Sequence, residues 1–344
     1  KMGKTFKISK FMHMYDRQDD SVEFAAKGYL SGRTLTELTT SLNSATLAEG
    51  AGAVNQRSLK KVTFETTTAR YGEMIDYTDE VELFSEDYIQ MKYREELGEL
   101  ANSRMEDLIQ RDMLSTPTVL RAGSATSMAL MGATQADGSD DADYKVSYDL
   151  VRLAVRLAVR NRAKRQNSLI NGTTKIDTKT VAASYFGIVG AEIKSDLETI
   201  TRGTTYEKHY VYTPAHKYAA AGNLAEGEIG SLYEIRFIES ESAVVYAQQG
   251  ANVPAGYTGS LSYTGTIGTD AKFDVYPILI PTEGSFATVG LKGMDKITFY
   301  SKDPKQVENG NPYGTTGFFS YNFFYAGIIL KPEALIKVLA CATK

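Results

Sequence analysis

Histidine, cysteine and clustered aspartate are the residue types in this sequence that could bind a metal ion or perform nucleophilic chemistry. The histidines are His13, His209 and His216, on three separate segments, and Cys341 is the single cysteine. This scatter contains no metal-ligand spacing, so a structural or exposed position is expected for each. The sequence also lacks a GxSxG elbow, a P-loop, a GxGxxG motif after a strand and an HExxH motif. We therefore predict no catalytic residue, no metal site, no cofactor and no enzymatic activity.

One acidic run could suggest calcium. It contains Asp137, Asp140, Asp141 and Asp143. An EF-hand loop requires ligands at alternating positions and a closing glutamate, and this run has neither. A calcium site is therefore not predicted here.

Composition sets broader limits. The chain has 344 residues, 42% hydrophobic content and a formal net charge of −4. This length and hydrophobic content predict a globular protein with a substantial core, and the charge excludes a global basic field for nucleic acid. No apolar run reaches the roughly 18 residues of a membrane span. One free cysteine is typical of a reducing compartment such as cytoplasm. Because the chain begins with Lys1, we expect either processing or a longer gene product.

The strongest structural signal is a long amphipathic helix over residues 85–115. Its apolar residues recur at steps of three and four, which places them on one stripe: Ile89, Tyr93, Leu97, Leu100, Ala101, Met105, Leu108 and Ile109. Ser85 is the predicted N-cap, and Pro117 marks the end. The length of about 45 Å predicts a spine for the fold. The opposite face is rich in carboxylates and is either solvated or a docking surface for another subunit.

The segments before this helix are predicted to be an arm and a hairpin. Residues 1–45 show no strong apolar period and are expected to form a mobile or extended arm. In residues 46–84, two alternating stretches flank Arg70, Tyr71 and Gly72, where glycine permits a turn. This pattern predicts an extended β-hairpin whose apolar face needs cover from the body of the protein or from a neighbour.

A second helix is predicted from the cap Ser147 onwards. Arg152, Arg156, Arg160 and Lys164 recur at steps of four and form a basic rail along one face. The rail is either solvent-facing or a contact for an acidic neighbour or packaged nucleic acid, and the sequence leaves both open. Residues 181–290 then alternate short strands and helices, which indicates an α/β lobe, with a turn-rich, exposed insertion at residues 255–271. Strands return in residues 291–344.

The order arm, hairpin, spine helix, inserted lobe and returning strands resembles the major capsid proteins of tailed bacteriophages, with the HK-ninety-seven-type fold. More narrowly, the chain resembles the coat-protein family of N-four-like phages. The resemblance covers residue 46 to the C-terminus. It depends on the order of many weak motifs: Ala48-Glu49-Gly50, Arg57, Tyr71-Gly72, Thr78-Asp79, Asp87, Leu108-Ile109, Leu114, Asp196-Leu197, Gly227-Glu228-Ile229-Gly230, Ile235-Arg236-Phe237-Ile238-Glu239, Val275-Tyr276-Pro277 and Tyr325-Ala326. Gly190 departs from it, since a proline is expected there.

The resemblance implies an α+β capsid fold and a role for each part. Residues 46–84 would be the E-loop over the adjacent subunit, residues 85–180 and 291–344 the peripheral domain, and residues 181–290 the axial domain. The implied function is self-assembly through hexamers and pentamers into an icosahedral shell around double-stranded DNA. Its location would be the virion capsid, after assembly in the host bacterial cytoplasm. Scaffolding, portal and decoration proteins are further candidate partners, DNA contact would be non-specific, and no membrane is involved.

The hypothesis for shell contacts pairs basic hairpin residues with spine carboxylates of a neighbour. The basic side is formed by Arg57, Lys60, Lys61 and Arg70, next to Tyr71 and Gly72, and the acidic side by Glu95, Glu96 and Glu99. Two other classes remain open at this point. A phage or bacterial β-rich surface-binding protein would use residues 255–271 as a binding loop, and a hydrolase would show convergent carboxylates in a deep pocket.

Overall fold

The computed structural model describes residues 3–11, 35–43, 45–47, 49, 61–84, 89–166, 184–202, 205–208, 227–291, 296–307 and 310–344. The chain divides into two compact units. The first contains residues 1–11, 61–112 and 287–328, and the second contains residues 12–60, 113–286 and 329–344. The described helices do not include one with the length and apolar content of a membrane span.

The described helices and strands are as follows. The helices are α1 (Leu35–Asn43), α2 (Asp79–Phe84), α3 (Ile89–Leu114), α4 (Asp141–Tyr144), α5 (Tyr148–Arg160) and α6 (Ala191–Thr199). The strands are β1 (Thr5–Phe11), β2 (Lys61–Thr67), β3 (Ala69–Thr78), β4 (Val119–Arg121), β5 (Tyr185–Val189), β6 (Thr201–Arg202), β7 (Thr205–Lys208), β8 (Glu228–Leu232), β9 (Ile235–Glu239), β10 (Tyr263–Thr264), β11 (Lys272–Phe273), β12 (Tyr276–Ile280), β13 (Phe286–Thr288), β14 (Thr298–Lys302), β15 (Thr316–Tyr325), β16 (Gly327–Ile329) and β17 (Ile336–Ala340).

The first unit is built on the predicted spine helix, α3. Leu97, Ala101 and Leu108 are buried, at the predicted spacing of three to four residues. They pack against the inner face of an antiparallel sheet with strand order β14-β15-β3. That face is aromatic because β15 alternates strictly between buried and half-buried residues, and its buried members are Gly317, Phe319, Tyr321, Phe323 and Tyr325. The spine prediction is therefore confirmed over residues 89–114.

The predicted β2–β3 hairpin is wrong. β2 pairs with β1, from Lys61 opposite Phe11 to Thr67 opposite Thr5, whereas β3 pairs with β15 over its whole length. Gly72 is therefore not in a turn. It lies in the middle of β3 opposite Asn322, and a Cβ there would come within 2.5 Å of the Tyr321 carbonyl oxygen. Glycine is needed here because it lets two strands approach closely, and not because it permits a turn.

The prediction of an arm without regular structure is also wrong for its described parts. Residues Thr5–Phe11 form β1, and Leu35–Asn43 form α1. In β1, exposed residues alternate with half-buried ones, which is the period of a strand with one covered face. The sequence signal was present, but Lys7 and Lys10 within the strand obscured it.

The second unit contains a six-stranded mixed sheet with the order β4-β17-β12-β5-β9-β8. β17 runs antiparallel to β12 and parallel to β4, and β5 runs parallel to β9. Its core includes the buried face of α5, formed by Leu150, Val151, Ala154, Val155 and Ala158. This division differs from the predicted domain limits, because β17 and α5 share a core with the lobe that was expected to be inserted.

Candidate inter-subunit surfaces

The exposed face of α3 has the three glutamates predicted for a contact between subunits. Glu95, Glu96 and Glu99 are exposed, on the side of the helix away from Leu97 and Ala101. Glu95 and Glu99 are four residues apart, so their side chains lie on one face, about one helical turn from each other. The structure thus provides an acidic surface at the predicted position.

Basic residues of α3 contact their own sheet. The Arg104 Nε donates to the Glu73 Oε1 at 3.0 Å, and the Arg94 guanidinium lies over the Phe319 ring at 5.0 Å from its centroid. The hydrogen bond to Glu73, together with its charge, raises the pKa of Arg104. These contacts join α3 to the sheet.

The predicted basic partners are in three different situations. Arg57 and Lys60 lie outside the described residues. Lys61 is exposed at the first position of β2. Arg70 lies on β3, with its guanidinium 5.5 Å from the centroid of the Phe324 ring, and Tyr71 stacks on Phe323 at 5.9 Å. Tyr71 and Gly72 therefore belong to the internal packing of the first unit. The contact between subunits stays a prediction.

β1 and β2 form a two-stranded ribbon, whereas the sequence pattern predicted a hairpin of β2 and β3. Its two strands pair with each other alone among the described strands. One end is fixed to the rest of the unit, because the Thr66 hydroxyl donates to the Gly327 carbonyl oxygen at 2.8 Å. Lys61 and Phe11 are at the other end, where Phe11 is 58% exposed. Seven residue pairs at about 3.4 Å each place this end roughly 20 Å from the fixed one.

The structure places three of the four residues of the predicted basic rail on one helix. The side chain of Ser147 accepts a hydrogen bond from the Leu150 N–H at 3.2 Å and caps α5 as expected. Arg152, Arg156 and Arg160 are exposed on this helix. The helix ends at Arg160, so Lys164 is exposed beyond it and does not continue the helical face. Leu153 is 38% exposed on this helix, whereas Val151 and Val155 are buried.

The acidic run has a different role from the one its composition suggests. Asp141 is 4% exposed, and its Oδ2 accepts hydrogen bonds from the Tyr257 hydroxyl at 2.8 Å and the Ser260 N–H at 2.6 Å. Burial by itself raises the pKa of Asp141, but these donors, with the Ser260 and Thr134 hydroxyls, outweigh it and leave the pKa below its ordinary value. Asp141 therefore holds the segment around Tyr257 as an ionised carboxylate.

This contact corrects the prediction that residues 255–271 form an exposed insertion. Tyr257 and Leu261 are buried, and the Tyr257 ring packs edge-on against Phe273 at 5.1 Å. The exposed part of the prediction holds for residues 255–256, 258, 260, 264–266 and 268–270. The sequence could not reveal the burial, because Gly, Ser and Thr around Tyr257 have the composition of a surface turn.

Chemically reactive groups are sparse. In the part of the chain that the structure describes, groups of three or more His, Cys, Asp or Glu residues able to bind a metal do not occur. All three histidines lie outside that part. Cys341 is fully buried, and burial raises the pKa of its thiol to about 12. An open cleft of about 340 Å³ is lined by Met113, Gln166 and residues 281–286, with Glu283 as the one carboxylate in its lining.

Comparison with known proteins identifies relatives of one kind. No family model matches the chain. The chain is 31% identical over 304 residues to a major capsid protein of Pseudomonas phage KPP21, which covers 86% of this chain and 72% of that protein. Its fold is similar to the capsid of Ralstonia phage GP4, with a TM-score of 0.58, 11% identity and coverage of 100% of this chain and 85% of the other. It is also similar to the capsid of cyanophage Pam1, with a TM-score of 0.54, 13% identity and coverage of 99% and 86%.

Proposed function

Because this chain belongs to the major capsid proteins of bacteriophages, we propose that its copies assemble through hexamers and pentamers into an icosahedral shell around double-stranded DNA. Its role as a shell-forming coat protein of the virion, with the HK-ninety-seven-type α+β fold, follows from the relationship to a capsid protein over most of the chain. This identity points to a structural role. No observation favours the surface-binding alternative.

The β1–β2 ribbon takes, in this proposal, the place expected for the extended hairpin. A two-stranded ribbon is marginally stable on its own in water, so a ribbon with half-buried residues on one face is best stabilised by a further surface. A neighbouring subunit of the shell provides that surface. The ribbon is fixed at one end and exposes Phe11 at the other, which supports an extension onto a neighbour.

Charge then sets the register of this contact. The proposed pair is Lys61 of one subunit with Glu95, Glu96 or Glu99 of the next, and the position of Lys61 at the far end of the ribbon supports it. An exposed ion pair contributes only about 0–1 kcal/mol, so apolar burial provides most of the stability. Many such weak contacts add up when a shell closes.

The remaining parts of the proposal concern partners and place. Assembly occurs in the host bacterial cytoplasm, with scaffolding, portal and decoration proteins as further partners. We also propose that the peripheral domain corresponds to the first unit, with α3 at its centre, and the axial domain to the second. The closeness to N-four-like phages stays a prediction.

Electron microscopy and sedimentation of the purified protein test the proposal, with the protein expressed alone and together with its neighbouring genes. Closed shells, or rings of the size of a hexamer or pentamer, are expected in at least one preparation. A monomer or small oligomer in both preparations, at every salt concentration, would contradict the proposal.

A charge-reversal series tests the contact separately. Lys61→Glu should lower the yield of shells at low salt, because it places like charges at the contact, and the additional reversal Glu99→Lys should restore it. Lys4→Glu is the matched control, since Lys4 is exposed at the fixed end of the ribbon, away from Lys61. A loss of yield in Lys4→Glu equal to that in Lys61→Glu would reject the specific pairing.

A further inference from the structure

The described residues of the loop that joins β14 and β15, 303–307 and 310–315, expose two large apolar side chains. Tyr313 is 87% exposed and Val307 is 68% exposed, and these are the exposed large hydrophobic residues among the described residues of this loop. An exposed tyrosine presents a wide apolar ring and loses little side-chain entropy on binding, so tyrosines often anchor protein interfaces. The loop therefore has the side chains of a docking element.

Hydrogen bonds also fix the backbone of the loop around Tyr313. The Asn311 side chain is 7% exposed, donating from Nδ2 to the Thr316 carbonyl oxygen at 2.8 Å and accepting from the Thr315 N–H at 3.0 Å. Gly314 follows with φ +63°, where a Cβ would come within 3.0 Å of the Pro304 carbonyl oxygen. These contacts fix the backbone on both sides of Tyr313. A ring held in place before binding loses less entropy on association.

A second exposed apolar surface lies at the same end of the first unit. In α2, Leu83 is 75% exposed and Phe84 is 84% exposed. The two surfaces are neighbours, because the Asp79 N–H at the start of α2 donates to the Thr315 carbonyl oxygen at 3.0 Å. Exposed charged residues lie on both surfaces: Asp303 and Lys305 on the loop and Glu80 on α2.

We propose that the loop of one copy docks on α2 of a second copy, with Tyr313 packed against Leu83 and Phe84 and Lys305 facing Glu80. A second copy is the occupant because this protein forms a shell from its own copies and because Lys305 of the loop has an exposed carboxylate partner in Glu80 of α2. Because the loop and the helix are different surfaces, a loop-to-helix contact is heterologous, and in a closed shell such contacts form rings. The inference rests on the proposed function, and it assigns a subunit contact apart from that of the ribbon.

Two single-cysteine variants test the contact directly. Phe84→Cys and Tyr313→Cys proteins are mixed before assembly and treated with a short bismaleimide. Cys341 does not compete, since it is fully buried and its thiol pKa is raised to about 12. Covalent dimers are expected from the mixture only, because each variant alone lacks one half of the contact. A cross-link within one chain would need both cysteines and cannot form.

Truncation of the ring provides the second readout. Tyr313→Ala should raise the protein concentration required for half-assembly by roughly tenfold, as expected for an interface anchor. Tyr313→Phe should stay near wild type, because the ring remains. Leu130→Ala removes a 49% exposed leucine of the other unit and serves as a control that should leave assembly unchanged.

The outcomes separate this contact from the proposed function. Two results would overturn the inference and leave the shell function intact. One is shell formation without cross-links in the mixture, and the other is unchanged assembly of Tyr313→Ala. Dimers from Tyr313→Cys alone, as abundant as from the mixture, would indicate a loop-to-loop contact and also overturn it. Absence of shells from the wild-type protein defeats both. If either cysteine variant fails to assemble, Leu83→Cys and Val307→Cys replace the pair.

Discussion

At the residue scale, Asp141 shows that a run of aspartates can contain a buried carboxylate with a structural role. Asp137, Asp140 and Asp143 are exposed around it, while Asp141 alone turns inward to Tyr257 and Ser260. Composition identifies four aspartates but not which one finds hydrogen-bond donors, because Tyr257 and Ser260 come from a segment more than a hundred residues away.

The first prediction concerns Asp141→Asn. The variant should lower the free energy of unfolding by roughly 1–3 kcal/mol at neutral pH, because donors that face a carboxylate then face an amide. The pKa of Asp141 is depressed in the folded protein, so its stabilisation is present above the unfolded pKa and is lost as the pH falls below about 4. Urea unfolding from pH 7 to pH 3 measures this.

Asp143→Asn, on the same short helix with an exposed side chain, is the control and should leave stability nearly unchanged. The difference in free energy of unfolding between wild type and Asp141→Asn should decrease as the pH is lowered. A gap that stays constant from pH 7 to pH 3 would contradict an ionised Asp141.

At the element scale, β3 shows that sequence patterns predict helices and strands but not which strands pair. The spine helix was predictable because Leu97, Ala101 and Leu108 follow a local period. The partners of β2 and β3 were not, because alternation shows that a stretch is a strand and leaves open which strand it pairs with. β3 pairs with β15, about 245 residues further along the chain. Thr68 separates β2 from β3, and no pattern around it indicates that the two strands enter different sheets.

Two glycine substitutions test this account in opposite directions. Gly72→Ala should destabilise the protein by about 1–3 kcal/mol, because its Cβ would come within 2.5 Å of the Tyr321 carbonyl oxygen in β15. Gly98→Ala, in α3 with no atom within 4 Å of its Cβ position, should stabilise it by about 0.5–1 kcal/mol. Thermal unfolding of both variants provides the comparison. Stabilisation by Gly72→Ala would mean that β3 and β15 do not approach as described.

At the scale of the whole molecule, a net charge of −4 coexists with one local basic surface on α5. A coat that encloses DNA benefits from weak contact, since a strongly basic lumen would hold the DNA and hinder its release. Arg152 lies 3.6 Å from Asp149, which reduces the local charge further. The exposed arginines of α5 fit loose, sequence-independent contact with phosphates better than tight binding.

The last prediction addresses that surface. Replacement of Arg152, Arg156 and Arg160 with Gln lowers the net charge from −4 to −7 and should abolish the weak binding of double-stranded DNA by the unassembled protein. In wild type, log K should fall with log salt with a slope of at most about 3, since roughly 0.9 counterions are released per phosphate contact. Lys4, Lys7 and Lys10 changed to Gln make the same difference in charge on and beside β1 and should leave binding intact. Equal losses in the two triple variants would show that net charge alone governs DNA contact and that α5 provides no specific surface for it.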